Sequence, residues 1–213
     1  SFVRVFQRLS VIPVAFFFVL PALCVPGFTQ ERGDALVSGS IADASTLIPI
    51  LASDTASAEI TGMLYNGLVK YDKDLQLTGD LAQSWEILDD GLTIVFHLRR
   101  GVVWQDGAPF TSRDVEFTYR KLIDPQVRTP YGGDFERVKS LEVPDDYTVR
   151  VTYKEPFAPA LSSWGMPILP QHVLEKEDLN TTRFGRTPVG LGPYRLKSWK
   201  PQEKIELVAN PSY

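Results

Sequence analysis

Cysteine occurs once in the 213 residues, at Cys24. Everything after it is free of thiols. That excludes a disulfide, a Cys-based metal site and a Cys nucleophile from the rest of the chain. Histidine is nearly as scarce, with two residues, His97 and His172, too far apart in sequence for metal-ligand spacing. His97 reads as a partly exposed strand residue, and His172 as a surface residue at a helix start. There is no G-x-S-x-G elbow and no phosphate-cradling GxxxxGK[ST] loop. The G-x-G of GLGPY is followed by Pro193 where a dinucleotide-binding helix would have to begin. Clustered positive charge is missing too: the net charge is -4, the basic residues are scattered, and a pair such as Arg99-Arg100 is too short to bind a polyanion. Nucleic-acid binding needs clustered Lys and Arg, so that class is excluded.

An unbroken membrane-spanning run is also lacking. Arg4 and Arg8 precede an uncharged, apolar stretch that reaches Gln30, and Pro13, Pro21 and Pro26 interrupt it. A spanning helix needs about 20 apolar residues. A cationic start, a shorter apolar stretch and a small-residue exit make the signal-peptide pattern instead. Val25 and Gly27 suit a cleavage site after Gly27, so residues 1–27 are read as a signal peptide. Lipid attachment at Cys24 would want a small residue before it, and Leu23 is not small. No disulfide is then left in the exported chain, and its core alone must hold it together.

What is present is strand-rich, with apolar residues at 44% and charged residues at 23%. ALVSGSI, ending near Ile41, is a strand candidate. The Pro-broken ADASTLIPILASDTAS reads as a loop. From Ser57 to Tyr71, Ile60, Met63, Leu64 and Leu68 fall at helical spacing, with Gly67 weakening the last turn. Asp89-Asp90-Gly91 is a hairpin turn signal. The strand after it alternates, with Leu92, Ile94, Phe96 and Leu98 opposite Thr93, Val95, His97 and Arg99. Asp106-Gly107 marks a second turn. Thr111 followed by Asp114 is a helix N-cap with an acid at the third position, and Val115, Tyr119 and Leu122 share one face. Asp124-Pro125 stops that helix. Val138, Leu141 and Val143 suggest a strand, and Tyr147, Val149, Val151 and Tyr153 a second. A short helix runs through Val173 and Leu174. Two last strands flank Lys200-Pro201-Gln202. No repeat is visible, and the order of elements gives an α+β class.

Most carboxylates have turn or cap duties. A glycosidase pair drawn from distant positions stays open, with nothing pointing to one. Asn180-Thr181-Thr182 matches the N-glycosylation pattern. Trp85 and Trp104 read as core. Tyr131 sits in a Pro-Tyr-Gly-Gly turn with no periodic partner, which is harder to explain by packing.

Several segments, in order, carry a resemblance. LYNGLVKYD (64–72), LAQSW (81–85), DGLT with FHLR (90–99), GVVWQDGAPFTSRDV (101–115), GLGPY (190–194) and NPSY (210–213) resemble motifs of the family 5 extracellular solute-binding proteins. These are the oligopeptide, dipeptide and nickel receptors of ABC importers. The resemblance implies a mixed α/β, type II periplasmic-binding-protein fold of two lobes closing on a ligand, with only the first lobe in this chain. Residues 28–62 would start the core of that lobe, 63–170 form its extra subdomain, and 171–213 return to the core. The resemblance further implies a monomeric, periplasmic receptor that is not an enzyme and needs no cofactor. It would deliver peptides to permease subunits in the inner membrane.

By the same resemblance the ligand's N-terminal side is lined by Ser53, Asp54 and Thr55 and by Tyr131, with Trp164 a further cleft candidate. The family's main charged partner for a peptide amine lies in the second lobe. Alternatives are a nickel chelate, an opine-like compound or another small solute. From other classes, a secreted hydrolase domain and a non-transport sensor remain.

Overall fold

The computed structural model describes residues 37–213. The segment read as a signal peptide, with Cys24, lies outside the described residues. Residues Gly39–Tyr213 form one unit. Among the described residues no helix is long and apolar enough to cross a membrane.

The centre of the unit is a four-stranded antiparallel sheet. Its strands are β3 (Ala82–Leu88), β4 (Thr93–Leu98), β5 (Val138–Asp145) and β6 (Thr148–Tyr153), in the order β3-β4-β6-β5. Register follows from the alternation in sequence. Trp85 pairs with Phe96, and Phe96 with Val149, so all three share one face. Ile94 pairs with Val151, which pairs with Leu141. Of these, Ile94, Phe96, Val149 and Val151 are fully buried, each worth roughly 1.5–3 kcal/mol. The opposite face carries Thr93, Val95 and His97. Thr93 lies across from Thr152 with hydroxyls 3.3 Å apart. His97 pairs with Glu86 on β3 at 2.9 Å.

Helix α2 (Ser112–Leu122) packs against β5 and β6. Its start is the expected capping box: Thr111 accepts from the Arg113 N–H, and Asp114 accepts from the Thr111 N–H at 2.9 Å. Val115, Phe117, Thr118 and Leu122 are buried, and Tyr119 only partly. Glu116 and Arg120 form an i,i+4 pair on the outside at 2.6 Å. Asp114 is 3% exposed and also accepts from the backbone N–H of Gln171 at the start of α4 (Gln171–Leu174). Burial pushes its carboxyl up, against the hydrogen bonds that favour the charged form.

Two readings of the first residues change. Val37–Ile41 is irregular, with Val37 and Ile41 exposed. A strand needs a ladder partner, and among the described residues none lies beside it. Helix α1 (Thr55–Leu64) ends earlier than the apolar spacing suggests. Asn66 to Leu68 leave the helix to bond a distant loop: Leu68 N–H donates to Trp164 O at 2.8 Å, and Ile168 N–H to Asn66 O at 2.9 Å. Gly67 permits this crossing. A Cβ there would run into the main chain of Gly165. The buried residues of α1 are Ser57, Thr61 and Leu64, of which only Leu64 is apolar.

β1 (Val69–Tyr71) and β2 (Leu77–Gly79) form a short hairpin. β7 (Tyr194–Lys200) and β8 (Lys204–Ala209) form another, held to the start of the unit by Asp43. That carboxylate accepts from the Trp199 indole N–H at 3.1 Å and the Gln202 N–H at 3.0 Å. The GLGPY segment docks on the end of α1, where Gly192 N–H donates to Leu64 O at 2.8 Å.

Candidate functional site

An open concavity of about 510 Å³ lies where three distant segments meet α1. The first is the short 3₁₀ turn Pro49–Leu51 and the residue after it, Ala52. The second runs from Pro130 through α3 (Gly132–Phe135). The third is the loop 162–167. Ala58 and Gly62, on the exposed side of α1, and the buried Thr61 border the same space.

The anchoring is internal and polar. Tyr131 is half-buried, and its phenol donates to Ala52 O, joining the second segment to the first. Its own N–H donates to Thr129 Oγ1 at 3.2 Å. Asp134 Oδ2 accepts from Ser163 Oγ at 3.0 Å, which joins the second segment to the third. Beneath them the wall is apolar. Pro49 and Ile50 are buried in the 3₁₀ turn, and Phe135 lies edge-on to Trp164 at 5.3 Å.

Of the residues expected at a ligand, Tyr131 alone lines this concavity. Trp164 requires a correction. It is 2% exposed, tilted against Phe96 at 5.8 Å, and its indole N–H donates to the Tyr153 hydroxyl at 3.0 Å. An indole this size is held where it displaces most apolar surface from water, so it supports the concavity from inside the core. Its neighbours Ser163, Gly165 and Met166 do line the space. Burial in the same cluster pushes the Tyr153 phenol up to about 12.

Asp54 has a helix-capping duty. Its carboxylate accepts from the Ser57 N–H at 2.8 Å, from Ser57 Oγ at 2.7 Å and from Ser45 Oγ at 2.6 Å. Partial burial pushes its carboxyl up, but these hydrogen bonds outweigh burial and hold it at about 2. Ser53 and Thr55 flank it, exposed and outside the lining of the concavity.

The lining residues that sequence reasoning missed are small or belong to irregular segments: Ala52, Ala58, Thr61, Gly62, Asp134 and Ser163. The Pro-punctuation of 156–170 marks the third segment as a loop, but nothing in it fixes which side faces out.

Neither histidine enters this concavity. His172 pairs with Asp106 at 2.8 Å and stands 6.0 Å from the Trp104 ring. Asn180 supports the loop at 126–128, accepting from the Arg128 N–H at 3.0 Å and donating to Gln126 O at 2.8 Å. Among the described residues no three His, Cys, Asp or Glu side chains gather as a metal site. A second hollow, of about 620 Å³, lies between Lys70, Asp80, Arg99 and Tyr213. There Lys70 and Asp80 are paired at 3.0 Å, and Arg99 Nε–H donates to the Asp80 main-chain O at 2.6 Å.

The concavity is a half-open wall of main-chain, hydroxyl and apolar groups on a mixed α/β scaffold. Residues 76–213 match the family described as bacterial extracellular solute-binding proteins, family 5 Middle. The oligopeptide-binding protein AppA of Bacillus subtilis is 36% identical over 195 residues, covering 88% of this chain and 35% of that protein. Protein XP55 of Streptomyces lividans is 37% identical, covering 86% of this chain and 33% of its own length. Among solved structures, AppA with a nonapeptide superposes with a TM-score of 0.77 at 33% identity, over 82% of this chain and 36% of that one. NikZ of Campylobacter jejuni with Ni(L-His) superposes with a TM-score of 0.75 at 32% identity, over 80% and 34%. The chain belongs to the family 5 extracellular solute-binding proteins. It spans about a third of the length of these relatives.

Proposed function

We propose that the chain is part of the first lobe of an extracytoplasmic receptor that captures peptides for an ABC importer and hands them to its membrane permease. The observation that carries this reading is the concavity pinned by Tyr131. It is open on one side and large enough for part of a small ligand. Its lining of main chain, small residues and hydroxyls suits a receptor that reads a peptide's backbone and tolerates varied side chains. The similarity to AppA, an oligopeptide-binding protein whose structure holds a nonapeptide, supports the same class of solute. On this reading residues 28–62 and 171–213 belong to the lobe's core, 63–170 to its extra subdomain, and 1–27 to an export signal. The receptor works as a monomer in the periplasm, without catalysis or cofactor. Closure against a second lobe would tell the permease that a ligand is bound.

The test is calorimetry on the full-length protein with di- to pentapeptides. Binding should appear, and Tyr131→Ala should weaken it about tenfold or more while the melting temperature changes little. A large fall in melting temperature with unchanged affinity would make Tyr131 a packing residue. The 213-residue chain alone should bind weakly, because half a trap buries half a ligand. Similarity to NikZ favours a second reading, a metal chelate as solute. Heat with a nickel–histidine complex and none with peptides would select it.

A further inference from the structure

The side-chain donors that line the concavity are already engaged within the protein. Thr61 Oγ1 donates to Ser57 O at 2.8 Å. The Tyr131 phenol donates to Ala52 O. Ser162 Oγ donates to Pro159 O at 3.2 Å. Ser163 Oγ, with one proton, lies 2.9 Å from Pro159 O and 3.0 Å from Asp134 Oδ2. What these hydroxyls still offer a ligand is lone pairs. Asp134 is the one ionised side chain in the lining and is exposed to the space. Among the described residues nothing donates to its Oδ1. No Lys, Arg or His lines the concavity.

A wall whose side chains accept and do not donate is selective. A ligand carboxylate or phosphate placed there would meet a like charge with no cation to offset it. A ligand ammonium or guanidinium would find one carboxylate and several hydroxyl lone pairs. The preference grows as the cleft closes, because covering Asp134 without a cation would strip water from an unpaired charge.

We propose that Asp134 sets the charge specificity of this wall, so that it receives a positively charged group of the ligand. This rests on the peptide reading above. The group is either the terminal ammonium or a basic side chain, which share the same chemistry.

The test uses the full-length protein and two peptide sets in calorimetry. One set carries Lys, Gln or Glu at each position of an alanine tripeptide. The other compares trialanine with its N-acetylated form. Wild-type protein should bind the cationic member of at least one set about tenfold more tightly than its neutral counterpart. Asp134→Asn should shrink that difference about threefold or more, any remainder belonging to the second lobe, and Asp134→Glu should restore most of it. The set in which the difference appears identifies the ammonium or the side chain as its source. Raised salt should narrow the gap more in wild type than in the Asp134→Asn protein. Tight peptide binding with the same charge profile in wild type and Asp134→Asn would overturn the role of Asp134 and leave the peptide reading standing. Binding of a nickel–histidine complex with no peptide bound would overturn the peptide reading, and this inference with it.

Discussion

The four-stranded sheet with α2 and the concavity beside α1 are built by different rules. In the sheet, neighbouring strands are mostly neighbours in sequence, and each turn carries its own chemistry. Asp89–Gly91 closes β3 onto β4, and Asp145 closes β5 onto β6 by accepting from the Tyr147 N–H at 2.7 Å. Around the concavity no segment is regular for more than one turn except α1. Its parts are joined by single side chains reaching across the chain: Tyr131 to Ala52, Ser163 to Asp134, and Leu68 to Trp164 through the backbone. Local rules make a scaffold, and a few long-range bonds make the wall of the concavity upon it.

If that division holds, mutations in the two regions should separate stability from binding, and residues shared by both should damage both. Trp164 is the shared one, in the core by its indole and at the wall by its neighbours. Trp164→Ala should cost about 3–5 kcal/mol in urea denaturation and abolish ligand binding as well. Binding that survives such a loss would show the wall to be independent of the core. Thr111→Ala removes one member of the α2 capping box. It should cost about 1 kcal/mol of stability and leave affinity unchanged in calorimetry.

The smallest effect lies in Asp54. Its carboxyl titrates at about 2, below the ordinary 3.8. A carboxyl held low adds stability that is complete above pH about 4 and is lost as pH falls through about 2. Acid titration of stability should therefore show a step in that window, and Asp54→Asn should flatten it without changing peptide affinity. A loss of affinity at neutral pH would return Asp54 to the ligand.

The same division explains what could be read from the sequence. Alternation and turn chemistry placed β3 to β6, the Thr111 cap, and the β7–β8 hairpin about Lys200-Pro201-Gln202. The end of α1 was not legible. Ile60, Met63, Leu64 and Leu68 keep helical spacing, and what stops the helix is a main-chain crossing with residues about a hundred positions away in sequence. Gly67 read as a weak point in a turn, and it is the residue that permits the crossing. At the wall, the resemblance pointed to two segments that border the concavity. It named Tyr131, which lines the space, and Trp164, whose chain neighbours do. Local pattern does not encode which residue of an irregular loop faces outward. For Asp134 the available signal was chemical: an acid in a Gly-Gly turn, beside a tyrosine with no periodic partner.

Tyr131, Ser163 and Leu68 each close a long stretch of chain with one bond. The entropy of those closures is met only when the whole unit is folded. The wall therefore has no existence apart from the complete unit, and a solute that occupies it opposes global unfolding. At a concentration 100 times its dissociation constant, a bound solute would add about 2.7 kcal/mol of resistance to unfolding. Heat itself then becomes a reporter of occupancy. A rise in melting temperature across a panel of unlabelled solutes would identify what the concavity holds before any of them is known to be its ligand.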